Sequence, residues 1–351
     1  MSIKRNNIRD RKSNGVDTLF WKSTGSNNIS CLLCPQSCKL EIDERGKCYI
    51  RQNINGQMVL TSYGLTSGIA VDPVEKKPLY HFYPGSQILS FGTAGCNLNC
   101  SFCQNWSISK AKDNERLSVR ATPQDLVKLC TDNKTPMIAF TYNDPVIFIE
   151  YVMDTAQLCH EEKIKTVAVT SGYINKKPAV EFFKHIDAAN VDLKSFNNLF
   201  YEKYCGAKLK PVLNTLEYIR EHTKTWLEIT TLIIPGLNDD PGEFKRMADW
   251  VKSHLGCDTP WHLSAFYPSY LLNDIPPTPP SSLKNLREMA MERGLRYVYT
   301  GNVRDEIGAN TYCPECKLKL IDRFGYDVRI HPGFSNSSKC PECNQLISGK
   351  Y

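Results

Sequence analysis

Between about residue 85 and residue 300 the chain alternates short apolar runs with amphipathic stretches, and this rhythm restricts the fold more than any other feature. QILSFG (87–92), MIAFTYNDP (137–145), KTVAVTSG (165–172), NVDLKS (190–195), WLEITTLIIPG (226–236) and WHLSAFYP (261–268) read as strands, with RYVYTG (296–301) as a seventh. Helical patterns such as PVLNTLEYIREH (211–222) and PGEFKRMADWVKSH (241–254) lie between them. Such alternation predicts parallel βα units, wound as an open sheet or a barrel. Most of the runs carry polar groups read as C-terminal: Asn143 and Asp144, Ser171, Asp192 and Lys194, and His262; Glu228 falls inside its strand. In a βα barrel the site is built at that end of the strands. About six units predict an α/β chain with a partial (β/α)6 barrel of TIM type, open on one side.

The flanks break the rhythm. They divide the chain into a basic, flexible tail (1–22), a four-cysteine segment (23–60), the barrel (61–305) and a second four-cysteine module (309–351). Each cysteine-rich piece is too small to build much core, and bound metal is the usual remedy. Six Lys or Arg against two Asp in residues 1–22 account for four of the chain's six net positive charges. The remainder is nearly neutral, so nothing demands nucleic acid. No apolar run approaches the roughly 20 residues of a membrane span, and the basic start lacks the apolar segment of a secretory signal. A cytoplasmic protein is expected. IPPTPPSS (275–282) reads as a loop. DPVEKKPLYHF (72–82) reads as a segment docked on the barrel in preference to one that aims Lys76, Lys77, Tyr80 and His81 at the open side.

Fifteen cysteines are many for such a chain, where clusters bind metal more often than they form disulfides. Cys313-x2-Cys316 and Cys340-x2-Cys343, each reading CPEC, have the knuckle spacing of a zinc ribbon. Cys31, Cys34, Cys38 and Cys48 will share a metal; their spacing does not choose between zinc and iron–sulfur, and structural zinc is the preferred expectation. Cys96, Cys100 and Cys103 form an odd set directly after the first strand. Three thiolates tether an iron–sulfur cube by three irons and leave one coordination position open, as a catalytic metal requires. The plainer alternative is zinc completed from elsewhere, for instance by His262. Among the lone cysteines, Cys205 in YEKYCGA is the one placed to face the site, against the default of a buried hydrophobe.

The C-x3-C-x2-C spacing in GCNLNCSFCQNW resembles the signature of the radical S-adenosylmethionine (SAM) superfamily. At finer grain the chain is similar to the radical SAM enzymes of the AmmeMemoRadiSam system, relatives of pyruvate formate-lyase activating enzymes. CLLCPQSCKL, YGLTSGIAVDPVEKKPLYHFYPGS, GTAGCNLNCSFCQNWSIS, TYNDP, VDLKSF, TLIIPGLND, WHLSAFYP and YTGNV carry that likeness along nearly the whole chain. The resemblance implies a radical SAM barrel whose Cys96, Cys100 and Cys103 ligate a [4Fe-4S] cluster. Phe102 would line the cluster and adenine pocket. TYNDP stands where many relatives have Gly-Gly-Glu-Pro, which would give Asn143 and Asp144 the amino group of SAM. Ser171, Asp192 and Lys194 would meet its ribose and carboxylate, and His262 would be a further SAM or substrate contact. The implied reaction is reductive cleavage of SAM to a 5′-deoxyadenosyl radical that takes hydrogen from a protein or small organic substrate. Glycyl-radical activase and non-catalytic metal scaffold or electron carrier are the alternatives. Implied partners are an electron donor of ferredoxin or flavodoxin type, with MEMO-like and AMMECR1-like proteins.

Overall fold

A computed structural model describes residues 15–111, 118–334 and 338–351. Eight strands form its main sheet in a single unbroken order: β1 (Ile69–Pro73), β2 (Gln87–Phe91), β3 (Met137–Phe140), β4 (Lys165–Thr170), β5 (Ala188–Asp192), β6 (Trp226–Ile233), β7 (Trp261–Ala265) and β8 (Val298–Gly301). β2 to β8 pair in parallel, β1 pairs antiparallel with β2, and among the described residues no ladder joins β8 back to β1. Six helices make the crossovers: α1 (Pro123–Asp132), α2 (Ile149–Glu161), α3 (Lys176–Phe183), α4 (Leu209–His222), α5 (Pro241–Trp250) and α6 (Pro280–Glu292). Their starts are written locally. Thr122 and Asp125 cap α1 reciprocally, Asp240 accepts from the amide of Glu243 in α5, and Pro stands in the first turn of α1, α5 and α6. The expected open barrel of six βα units is the observed architecture.

The strand pleat decides what faces where. Leu89, Phe91, Ile138, Phe140, Ala168, Ala189 and Val191 point outward into the helical core. Ile88, Met137, Ala139, Val167 and Ala188 point inward and pack with Val74, Leu79 and Phe82. The segment after β1 therefore plugs the N-terminal end of the barrel. Asn190 donates to the Pro78 carbonyl at 2.7 Å, and Glu228 accepts from the amides of Tyr80 and His81 at 2.9 and 2.8 Å. DPVEKKPLYHF is a docking segment as expected, and its Tyr80 and His81 do not face the open side.

His262 departs from the expectation. It is the second residue of β7, buried on this floor, and its Nε2 donates to Glu228 at 2.7 Å. Its neighbours are Tyr80 and Tyr299, with ring centroids 4.7 and 5.4 Å away. With Nε2 committed to Glu228 and its ring packed against two tyrosines, it is held within this buried floor. Reading the run WHLSAFYP as a whole put it at the wrong end of its strand.

Two small antiparallel sheets built from residues 16–60 carry the first four cysteines. The flexible tail expected over 1–22 is corrected for its second part. Val16–Asp17 pairs with Val59–Leu60, and Trp21 and Lys22 pair with Cys31 and Ser30. Val16 is buried, and the amide of Leu19 donates to Glu150 on α2, so apolar residues beside the charges anchor this stretch. Residues 1–14 lie outside the described residues. The C-terminal module is a three-stranded antiparallel sheet with its four cysteines at one end. It closes beneath the plug, where Arg323 donates to the Tyr80 carbonyl at 2.8 Å and lies 4.1 Å over the Tyr80 ring.

Candidate active site at the C-terminal rim

The loop holding Cys96, Cys100 and Cys103 leaves β2 at its C-terminal end and is clamped at almost every residue. Asn99 and Ser101 amides donate to the carbonyls of Cys205 and Tyr204 at 2.7 and 2.8 Å. Asn97 reaches the Tyr173 carbonyl at 2.9 Å, Lys110 the Leu98 carbonyl at 3.0 Å, and Ser269 the Cys103 carbonyl at 3.2 Å. Gly95 takes φ of 83°, and a Cβ there would run into the Cys48 carbonyl oxygen. Only glycine meets both demands.

Asn143 does not aim its amide at a ligand. Its Nδ2 donates to Thr93 Oγ1 at 3.0 Å and the Gly95 carbonyl at 2.8 Å, while its Oδ1 accepts from the Thr93 amide at 3.2 Å. It pins the start of the cysteine loop. Asp144 is likewise engaged, by the amide of Val146, the hydroxyl of Thr170, and both the amide and hydroxyl of Ser171. Burial raises the Asp144 carboxyl above its ordinary range against those donors. Asn143 thus braces the start of the cysteine loop, while Asp144 and Ser171 form a separate hydrogen-bonded group between the ends of β3 and β4.

Asp192 and Lys194 close at 2.6 Å, with the Asp192 side chain 35% exposed and that of Lys194 13%. Burial disfavours the Lys194 charge, but Asp192 overrides it and holds the ammonium well above its usual range. Lys194 lies 5.9 Å from the Phe102 ring, which is buried against Phe200. Cys205 is fully buried, a free thiol beside Cys100, and its carbonyl accepts from the Asn99 amide at 2.7 Å. The thiol candidate for contact with a substrate is instead part of the wall behind the cysteine loop.

Three groups at this end carried no signal in the sequence. The hydroxyl of Thr230, in register with Asp192, is buried without a hydrogen-bond partner. Ser109 places its hydroxyl 3.1 Å from Cys103 Sγ. Tyr142 adopts φ of 70°, rare for a bulky residue. It turns toward β1, where its hydroxyl reaches Asp72 at 3.2 Å, and Lys77 lies 5.0 Å over its ring and 2.7 Å from Asp72. A threonine in a strand and a tyrosine in a turn are ordinary in sequence, and only the fold makes them neighbours of the rim.

Among the described residues, Cys313, Cys316, Cys340 and Cys343 are the group whose ligand atoms all lie within 4.8 Å of one another. Cys313–Cys343 and Cys316–Cys340 sulfurs stand 3.5 and 3.4 Å apart. A tetrahedral ion with bonds of about 2.3 Å separates its sulfurs by about 3.8 Å, so this module is cut for one ion. Cys96, Cys100 and Cys103 are free thiols that do not close to that spacing.

An open βα barrel with a braced three-cysteine loop at its C-terminal rim is the frame of a metallocluster enzyme. The chain belongs to the radical SAM superfamily, whose family model matches residues 91–251. It is 38% identical over 331 residues to an uncharacterized protein of Methanocaldococcus jannaschii, covering 94% of this chain and 98% of that one. It is 25% identical over 180 residues to a pyruvate formate-lyase-activating enzyme of Clostridium pasteurianum, 48% of this chain and 71% of that one. A solved radical SAM methyltransferase from Sphaerobacter thermophilus aligns at 15% identity and a TM-score of 0.49, over 62% of this chain and 67% of that one. Family membership implies a [4Fe-4S] cluster and SAM. Among the described residues no helix is long and apolar enough to cross a membrane.

Proposed function

We propose that this chain is a radical SAM enzyme that abstracts hydrogen from a protein or small organic substrate, with Cys96, Cys100 and Cys103 as the ligands of its cluster. The reading rests above all on the cysteine loop: three free thiols, braced on the C-terminal rim beside the Asp192–Lys194 pair. Cluster and SAM together supply one-electron cleavage of a sulfonium to a 5′-deoxyadenosyl radical. The chain's own residues hold and exclude. Lys194, kept charged by Asp192, is suited to a carboxylate of SAM, and the partly exposed Asp192 can accept from ribose hydroxyls. Asn143 keeps the start of the loop from shifting, and the Ser109 hydroxyl lies 3.1 Å from Cys103 Sγ. Beneath, Glu228, His262 and His81 are buried where the plug meets the barrel's lower end. An electron donor of ferredoxin or flavodoxin type, and MEMO-like and AMMECR1-like proteins, remain the proposed partners.

After anaerobic reconstitution with iron and sulfide and reduction, SAM should yield 5′-deoxyadenosine, followed by chromatography. Cys100→Ala should abolish the product. An intact cluster that leaves SAM uncleaved with every reductant would sink the proposal. Low identity to activating enzymes supports a second reading, a glycyl-radical activase. Its mark would be a glycyl signal by electron paramagnetic resonance on a partner enzyme.

A further inference from the structure

We infer that Cys31, Cys34, Cys38 and Cys48 bind a second iron–sulfur cluster of the four-iron class, and not a zinc ion. The chain contains its own standards of size. The C-terminal four draw together to the spacing of a single tetrahedral ion. Neither the cysteine loop of the rim nor the N-terminal set does so, although all seven residues are described and all are free thiols. A zinc or a lone iron would require sulfur separations of about 3.8 Å, whereas an iron–sulfur cube holds its thiolates on separate irons and therefore further apart.

All four N-terminal cysteines line one cavity, together with Arg51 and Asn97. Arg51 is 1% exposed, and its Nε–H is buried with no hydrogen-bond partner, although its other nitrogens bind Glu150 and the carbonyls of Leu19 and Ile147. An unsatisfied buried donor of this kind costs about 1–3 kcal/mol, and a sulfur-rich anion in the cavity would accept from it. The cavity also adjoins the rim. Gln36 donates to the Asn97 carbonyl at 2.9 Å, and Asn97, which lines the cavity, follows Cys96 directly and places its Oδ1 3.8 Å from Cys96 Sγ.

The test is a metal count on the full chain, refolded or expressed with iron, sulfide and zinc all supplied anaerobically. Wild type should hold about eight irons, about eight sulfides and about one zinc. Cys34→Ser with Cys48→Ser should hold about four irons. The variant with Cys96, Cys100 and Cys103 all changed to Ala should also retain about four, with a cluster signal on reduction. About four irons and two zincs in wild type, or no iron in the triple variant alongside a second zinc, would overturn the inference. The site does not depend on the reaction proposed above. Eight irons without SAM cleavage would uphold the site while refuting that reaction, and SAM cleavage with only four irons would do the reverse.

Discussion

A single hydrogen atom decides the shape of the rim at Gly95. Its φ of 83° and the Cys48 carbonyl at the place of its missing Cβ leave no room for alanine. Gly95→Ala should cost several kcal/mol, on the order of 1–3 for the backbone conformation alone, with the clash adding to it. The loss should register as a lowered midpoint in chemical denaturation and a reduced iron content. The cysteines were legible from spacing because their chemistry fixes their number and separation. His262 was not, since a strand's period says that a residue points inward but not at which end of the barrel it stands. Only pairing with Glu228, distant by 34 positions, gives it the floor.

The plug and the floor beneath β5 to β8 behave as one element. Glu228 accepts from Trp226 Nε1, His262 Nε2 and two backbone amides, and these donors hold its carboxyl below the ordinary range despite its burial. The Nδ1 of His81 donates to the Ser348 carbonyl at 2.6 Å, and its Nε2 lies 2.6 Å from the Tyr299 hydroxyl. Burial pushes its pKa down to about 4. An unfolded histidine takes up its proton near pH 6.5, so between there and pH 4 the unfolded state binds more protons and stability falls on acidification. The contribution is about 3 kcal/mol at full extent. Urea denaturation at pH 7 and pH 4.5 should show this loss, and His81→Gln, which can keep both hydrogen bonds, should show less of it. A slope unchanged by that substitution would remove His81 as its source. The barrel itself could be read from strand runs and helix caps, because each βα unit is locally encoded. The plug could be read as a docked segment but not assigned to an end of the barrel, because its apolar residues Val74, Leu79 and Phe82 carry no period of their own.

At the scale of the molecule, three cysteine sites hang on one barrel and are tied to it by buried polar contacts as well as by apolar packing. Arg51 of the N-terminal sheets meets Glu150 on α2 at 2.7 and 3.0 Å, with neither side chain accessible to solvent. Glu150→Ala leaves a buried guanidinium without its partner and should cost about 3–5 kcal/mol, measured by denaturant midpoint. An unaltered midpoint would show that the two parts are held by apolar packing alone. Such cross-links lie 99 positions apart, which is why composition divided the chain into pieces that the fold fuses.

The close fit of Gly95 under the Cys48 carbonyl bears on how the chain can be re-engineered. Barrel and cysteine-rich lobe are not interchangeable cassettes. A chimera that imports residues 16–60 from a relative must import the contour of residues 93–97 with it, or the graft will press on the very loop whose position the chemistry depends on.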